Sequence, residues 1–277
     1  MNNAPGIIIS APNSGSGKTI VSLGILRAIK DSGLKIQAFK NGPDYIDPGF
    51  HEIACDRKSY NLDTWAMNEK NINQILSKSY DADLIITEGS MGLYDGVESM
   101  GSSGFGTTAE LSEKFGWPVI LVLNVSGQAQ SAAASALGFI KYNNNINFGG
   151  VILNFVASER HEFLIKRGME RLGINVLGVI PRQKEILLPE RHLGLVQAQE
   201  TKNLDTKIKG YAELVKKNIN LNQIINIASS NPFTPKKIAS IRPPASKIAL
   251  AFDKAFSFIY PHILDSWIKA GVEIIPF

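Results

Sequence analysis

IIISAPNSGSGKTIVSLGIL, Ile7 to Leu26, runs from an apolar β-branched strand through a turn of small residues into Gly17-Lys18-Thr19 and on into a helical pattern. Ser14, Gly15, Ser16 and Gly17 let backbone N–H groups turn inward around an anion, and the helix beginning near Lys18 adds its positive end. In such a loop Lys18 reaches the β- and γ-phosphates of a nucleotide and Thr19 holds Mg²⁺. Pro12 stands where the first glycine of G-x-x-x-x-G-K-[ST] belongs, but strand before and helix after keep the phosphate-loop reading above that of a plain glycine-rich turn. Taken alone the loop fits kinases, switches, motors and ligases equally well. The function has to come from whatever else faces the γ-phosphate.

Working outward, short β-branched runs alternate with helical patterns. Strands are expected at 6–10, 35–39, 83–87, 118–122, 149–155 and 175–180, and helices at 19–31, 68–79, 107–115, 126–142, 159–172 and 204–217. This alternation predicts an α/β phosphate-loop NTPase, a mostly parallel sheet with helices on both faces. The stretches 40–63 and 88–106 are rich in Gly, Pro and Asp, read as long loops, and both follow strands. In an open α/β sheet, ligands bind beyond the carboxyl ends of the strands. Residues 229–246 shift to Pro, Ser, Lys and Ala and read as a linker after a domain spanning 1–228, while 247–277 look like a single β-α-β start.

With 277 residues, 44% of them hydrophobic and 19% charged, the chain can bury a full core. Its net charge of +4 comes from basic residues spread along the sequence, Lys236 and Lys237 being the nearest approach to a cluster. Nucleic-acid binding needs a concentrated stripe, so it is not expected; a negatively charged small substrate is compatible. No apolar stretch is long enough to cross a bilayer and Met1 opens no leader-like segment, which predicts a cytoplasmic protein without membrane partners. One cysteine, Cys55, on what reads as a loop, rules out an internal disulfide and a multi-cysteine metal site.

Two further blocks face the phosphate loop. KNGPDYIDPGFH, Lys40 to His51, concentrates Lys40, Asp44, Tyr45 and Asp47 directly after the second strand. Its prolines and glycines also suit ordinary turn punctuation with solvated acids. LIITEGSMGLYDG puts Glu88 just past a buried strand, placed like the acidic Mg²⁺ ligand of other phosphate-loop enzymes, with Asp95 and Gly96 further along in a loop able to fold back. A helix-capping role for Glu88 is disfavoured by the glycine that follows. ParA-like and MinD-like switch ATPases carry an extra lysine early in the phosphate loop; the matching residue here is Asn13, which counts against a regulatory switch.

Together with GVILNFVASERH and VLGVIPR…LPERHLGL, these blocks closely resemble the cobyrinate a,c-diamide synthase family, glutamine-dependent amidotransferases of cobalamin biosynthesis, from the first strand to Leu195. The resemblance implies an ATP-binding domain like dethiobiotin synthetase followed by a class I glutaminase domain, of which 247–277 would be the start. It implies ATP and Mg²⁺ as cofactors and a carboxylate-activating role for the phosphate loop. Lys18, Lys40, Asp44, Asp47, Glu88 and Asp95 would then be catalytic. Tyr45, Asp44, Asp95 and Gly96 would lie on the side of a cobyrinate-type tetrapyrrole, and Asn154, Pro181 and Arg182 would frame the adenine. Asn124 stands where relatives usually have aspartate. With the family's nucleophilic cysteine and histidine expected beyond Phe277, the chain is expected to use ammonia, free or from a separate glutaminase subunit, and a homodimer is compatible. The alternatives are nickel-sirohydrochlorin a,c-diamide synthase and, from another class, a ParA/MinD-like regulatory ATPase.

Overall fold

Runs such as GIIIS and VILVLN are apolar up to their last residue because their strands are covered on both faces, the usual situation in a parallel sheet. Seven of them form that sheet: β1 (Gly6–Ser10), β2 (Ile36–Asn41), β3 (Tyr60–Leu62), β4 (Leu84–Glu88), β5 (Val119–Asn124), β6 (Phe148–Val156) and β7 (Val176–Pro181). Their order is β3-β2-β4-β1-β5-β6-β7, and every adjacent pair is parallel. The structure, a computed structural model, describes residues 4–183, 190–191, 194–229, 241–253 and 255–277.

Helices α1 (Lys18–Asp31), α2 (Asp47–Cys55), α7 (Leu204–Asn218) and α8 (Leu221–Ile227) cover one face; α3 (Glu69–Leu76), α4 (Thr108–Phe115), α5 (Ser131–Tyr142) and α6 (Glu159–Arg171) cover the other. Successive side chains in a strand point to opposite faces, so Ile7 and Ile9 of β1 enter the first layer and Ile8 the second. Asn68, Thr107 and Ser158 cap α3, α4 and α6 by accepting from the backbone N–H groups of Asn71, Glu110 and His161. From β1 the chain crosses through α1 to β2 on one side, and from β4 it crosses back over β1 through α4 to β5. Where these crossovers diverge, a crevice opens beyond the C-terminal end of β1.

The expected strands and helices form, with ends shifted by one or two residues except in three places; one is α3, which stops at Leu76, three residues before the expected end, with a 3-10 turn following at Ser77–Ser79. The helix expected from Ser126 begins at Ser131, after a turn in which Gly127 takes φ 76°. The stretch read as a loop between Lys40 and Asp63 contains α2 and β3. There Asp47-Pro48 opens a helix, because a proline in the first turn has no N–H to leave unsatisfied. Cys55 is therefore the buried last residue of α2 and not a loop residue. The helix α8 had no counterpart in the sequence reading.

Ser229 closes on Gly6 as an antiparallel bridge, while most of the expected linker, 230–240, lies outside the described residues, as does part of the LPERHLGL motif. A two-residue antiparallel pair, β8 (Glu190–Arg191) and β9 (Gly194–Leu195), follows β7. The C-terminal segment forms the expected β-α-β, with β10 (Lys247–Leu250) and β11 (Glu273–Pro276) parallel and α9 (Pro261–Lys269) between them. It is tied to the main sheet edge by Asp265, whose carboxylate accepts from Lys58 Nζ at 2.8 Å, Lys78 Nζ at 2.9 Å and Tyr60 OH at 2.9 Å. Phe256 and Phe258 are exposed; Ile259 and Trp267 are half-buried. Among the described residues no helix is long and apolar enough to cross a membrane.

α1 and α7 touch at Gly24, where a Cβ would fall 2.5 Å from Val215 Cγ2 and 2.7 Å from the Tyr211 carbonyl oxygen. Alanine gains up to about 1 kcal/mol over glycine in helix propensity, but crowding a backbone carbonyl costs about 1–3 kcal/mol. Gly24→Ala is expected to lower stability by about 1–2 kcal/mol, seen as a lower urea midpoint at unchanged m value. A raised midpoint would mean that the two helices separate freely there.

Candidate active site

The phosphate loop leaves β1 and turns twice through left-handed glycines, Gly15 at φ 78° and Gly17 at φ 84°, before α1 starts at Lys18. Only glycine enters that region at little cost. At Gly17 space is also decisive, since a Cβ would sit 2.2 Å from Asn154 Nδ2. Asn154, at the end of β6, donates from that nitrogen to the Ser16 carbonyl at 3.0 Å and so braces the loop from behind. Asn13 folds inward: the Ser16 hydroxyl donates to its backbone carbonyl at 3.0 Å and lies 3.2 Å from its Oδ1. Asn124 turns back on Ser126, accepting from its N–H at 3.0 Å and its hydroxyl at 2.6 Å.

Sheet register sets the opposite wall. Lys40 on β2 pairs with Glu88 on β4, and Glu88 pairs with Ile9 on β1 directly before the loop. Glu88 is 1% exposed. Its Oε1 accepts from the Thr19 hydroxyl at 2.8 Å and stands 3.6 Å from Lys40 Nζ, while Oε2 lies 2.8 Å from His51 Nε2. Lys40 in turn lies 2.7 Å from Asp47 and 3.6 Å from Asp44 and donates to the Gly89 carbonyl at 3.0 Å. One Asp44 oxygen accepts from the N–H groups of Ile46 and Asp47, holding the turn into α2.

Ionisation follows from this packing. Burial works to raise the Glu88 carboxyl, but Lys40, His51 and Lys18 outweigh it and hold it well below the usual carboxylate range. Burial likewise works against the Lys40 ammonium, yet Asp47, Glu88 and Asp44 hold it above its ordinary value. Burial pushes the Asp47 carboxyl up to about 6 against the pull of Lys40, and the Glu88 and Asp44 charges add to the rise. Lys18 is lowered by burial and by Lys40 beside it. Asp47 Oδ1 is buried with no hydrogen-bond partner in the protein, so this cluster keeps an acceptor in reserve.

A cleft of about 800 Å³ joins these parts, lined by the phosphate loop, Lys40, Asp44, Asp47, Tyr45 and Phe258 among others. A crevice of about 50 Å³ beside Gly17 and Ile20 is lined by Asn154, Phe155 and Pro181. The structure thus brings Ser14, Gly15, Gly17, Lys18, Thr19, Lys40, Asp44, Tyr45 and Asp47 to one cleft, with Ser16 and Glu88 buried directly behind it. Arg182 stays outside the crevice; its backbone N–H donates to the Val156 carbonyl. Asp95 also lies outside the cleft lining: Oδ2 accepts from Gly92 N–H at 2.8 Å, shaping a turn whose Leu93 N–H donates to Ala11 at the root of the phosphate loop. Gly96 lines a separate groove with Tyr94, Phe105 and Tyr142.

Thr19 Oγ1 and Glu88 Oε1 are adjacent hard oxygen donors next to the phosphate loop. Among the described residues no group of three or more His, Cys, Asp or Glu able to hold a metal ion occurs. This donor set fits Mg²⁺, which keeps several waters and takes one or two protein oxygens plus phosphates.

Phe155 on the cleft wall and His51 buried behind it carried no assigned role in the sequence. Phe155 adopts φ 63°, a conformation nothing in its sequence context announces. His51 had a signal: four residues after Asp47, it shares a helix face with it once α2 is recognised. Removing His51 leaves Glu88 Oε2 buried without a partner, so His51→Ala is expected to cost about 1–3 kcal/mol in a denaturant titration. His51→Gln, whose amide N–H can reach the same oxygen, should recover part of that loss; equal losses in both would show that the contact with Glu88 is not what matters.

Residues 7–196 match a family described as the CobQ/CobB/MinD/ParA nucleotide binding domain. Over the whole chain the sequence is 51% identical to a hydrogenobyrinate a,c-diamide synthase of Rhodobacter capsulatus, and over 99% of it 45% identical to one of Agrobacterium fabrum. The chain spans 64% and 63% of the length of these relatives. A chain of the MinC:MinD cell division protein complex of Aquifex aeolicus superposes with a TM-score of 0.48 at 15% identity, covering 83% of this chain and 98% of that one. With a phosphate loop at the switch of a parallel sheet and a family match over residues 7–196, the chain belongs to the CobQ/CobB/MinD/ParA nucleotide-binding domain family.

Proposed function

We propose that this chain performs ATP-dependent amidation of the a and c acetate carboxylates of hydrogenobyrinate or cobyrinate, in the cytoplasm, as a step of cobalamin biosynthesis. The observation that carries the reading is Lys40: a buried ammonium, fixed by three carboxylates and level with Lys18, on the wall of a cleft open to a second ligand. A phosphate loop needs only one lysine to hold a nucleotide. A second cation facing it suits an anionic acceptor of the phosphoryl group. The names of the relatives from Rhodobacter capsulatus and Agrobacterium fabrum support this reaction. In this reading 1–228 form the synthetase domain, 229–246 a linker and 247–277 the start of a class I glutaminase-like domain.

ATP supplies the phosphoryl group that makes a poor acyl donor into an acyl phosphate, from which ammonia displaces phosphate to leave the amide, while Mg²⁺ supplies charge neutralisation. The chain's share is positioning and electrostatics. Backbone N–H groups of the loop and Lys18 hold the phosphates. Thr19 and Glu88 hold the metal, and His51 aims Glu88 at it. Lys40 offsets the repulsion between an incoming carboxylate and the phosphates. Asp44 and Asp47 keep Lys40 charged in a buried place, and Asn154 with Pro181 shapes the crevice for the base.

Given ATP, Mg²⁺ and hydrogenobyrinic acid, the protein is expected to form amides with ammonium salts at alkaline pH, where more ammonia is unprotonated, with product mass separating one amidation from two. Lys18→Ala should abolish this while circular dichroism stays unchanged; retained turnover would remove the phosphate loop from the reaction. Cys55 is not expected to draw ammonia from glutamine. Cys55, the one cysteine, is buried, donates to the His51 carbonyl and has its thiol pushed up to about 11 by burial, the opposite of an activated nucleophile. Glutamine-dependent amide formation lost in Cys55→Ser would overturn that part.

Glu88→Gln keeps the shape and removes the charge beside Thr19. The Mg²⁺ concentration for half-maximal activity is expected to rise about ten-fold or more, the scale seen when metal-site partners are lost, and an unchanged Mg²⁺ titration would exclude Glu88 as a metal-holding group.

A further inference from the structure

The cleft has a wall that nucleotide chemistry does not require. Tyr45, in the turn after β2, stacks on Phe258 of the C-terminal segment with centroids 5.3 Å apart and planes 9° from parallel. Tyr260 packs against the same Tyr45 ring at 4.9 Å, and its hydroxyl donates to Asp63 Oδ2 at 3.1 Å. Phe258 remains 58% exposed and Tyr45 38% exposed, and both line the cleft that holds Lys18 and Lys40. Phosphates call for N–H groups and cations, which the loop provides. Open aromatic faces beside them suit a second ligand that is flat and apolar over its surface and anionic at its edge.

The position of Phe258 is fixed from both sides. Ser257 donates to Gln197 Oε1 at 2.9 Å. On the far side Tyr260 is held by Asp63, and α9 is held through Asp265 by Lys58, Lys78 and Tyr60. The segment is thus bonded to two separate parts of the main domain, and Phe258 is the side chain it presents to the cleft between those anchors. A ring left more than half exposed at the mouth of a charged cleft gains little from its own packing; a ligand laid on it would cover that surface.

We propose that Phe258, with Tyr45 beneath it, is a substrate-contacting residue: the C-terminal segment lends the cleft an aromatic platform on which the face of a conjugated macrocycle rests, its acetate carboxylates turned toward Lys40. This deepens the amidation reading and rests on it. Tyr45 sets the height of the platform and Tyr260 buttresses it. Specificity for a flat polycarboxylate over a small aliphatic one then comes from the C-terminal segment, and catalysis from the main domain.

The test uses the full chain and hydrogenobyrinic acid, followed by quenching of its own fluorescence in the presence of Mg²⁺-ADP. Phe258→Ala is expected to weaken macrocycle binding about ten-fold, the scale of one lost aromatic stack, with Mg²⁺-ADP affinity and melting temperature unchanged. Phe258→Tyr, which keeps the ring, should bind like the parent, and Phe258→Leu should fall between. With ammonia as nitrogen source the loss should appear in KM for the macrocycle and not for ATP. If the parent binds the macrocycle and Phe258→Ala binds it equally well, the platform is wrong and the amidation reading stands. If the parent binds no macrocycle at all, the amidation reading fails and the platform fails with it. Should Phe258→Ala and Phe258→Tyr lose binding alike, the contribution of the ring is refuted.

Discussion

A single buried carboxylate holds the site together. Glu88 ends β4 at 1% exposure, and leaving it unpaired there would cost several kcal/mol. Its two oxygens are shared among the Thr19 hydroxyl on α1, Lys40 on β2 and His51 on α2, so one group couples three elements from different parts of the chain. Lys40 is then held in turn by Asp47 and Asp44. Glu88 and Lys40 keep each other charged in a dry place, and Asp47 and Asp44 add to the hold on Lys40. A buried polar network of this kind tolerates few conformations, which is the condition for placing phosphate, metal and carboxylate within reach of one another.

That coupling explains why the sheet order matters. β1, β4 and β2 are neighbours, and their parallel register sets Ile9, Glu88 and Lys40 in one row across the strand ends. A shift of one residue in β2 would turn Lys40 to the opposite face, since the side-chain period is two. The layers above and below supply the remaining pieces, α1 bringing Lys18 and Thr19 and α2 bringing Asp47 and His51. The apolar core is thus the device that keeps charges in register.

The C-terminal segment adds a different kind of surface. It is tied to the main domain by polar contacts at Asp265, Tyr260 and Ser257 and by the packing of Phe258 and Tyr260 on Tyr45, while Phe256 and Phe258 stay more than half exposed. The main domain offers charge and the segment offers aromatic faces, and the cleft between them combines both kinds of recognition.

The sequence by itself determined the phosphate loop, the strand–helix alternation and the clustering of Lys40, Asp44, Asp47 and Glu88, because each rests on local chemistry: glycine torsions, apolar periodicity, and charged residues directly after buried strands. It did not reveal α2, since Asp47-Pro48-Gly49 reads equally as a turn, and with α2 went the pairing of His51 with Glu88. The tertiary structure alone decided that Asp95 braces the turn against the phosphate loop instead of facing the cleft, that Asn154 supports Ser16 and excludes any side chain at position 17, and that Phe258 meets Tyr45. Those relations join residues far apart in the chain, and local torsions and periodicities say nothing of which distant segments the packing of a sheet and its layers brings into contact.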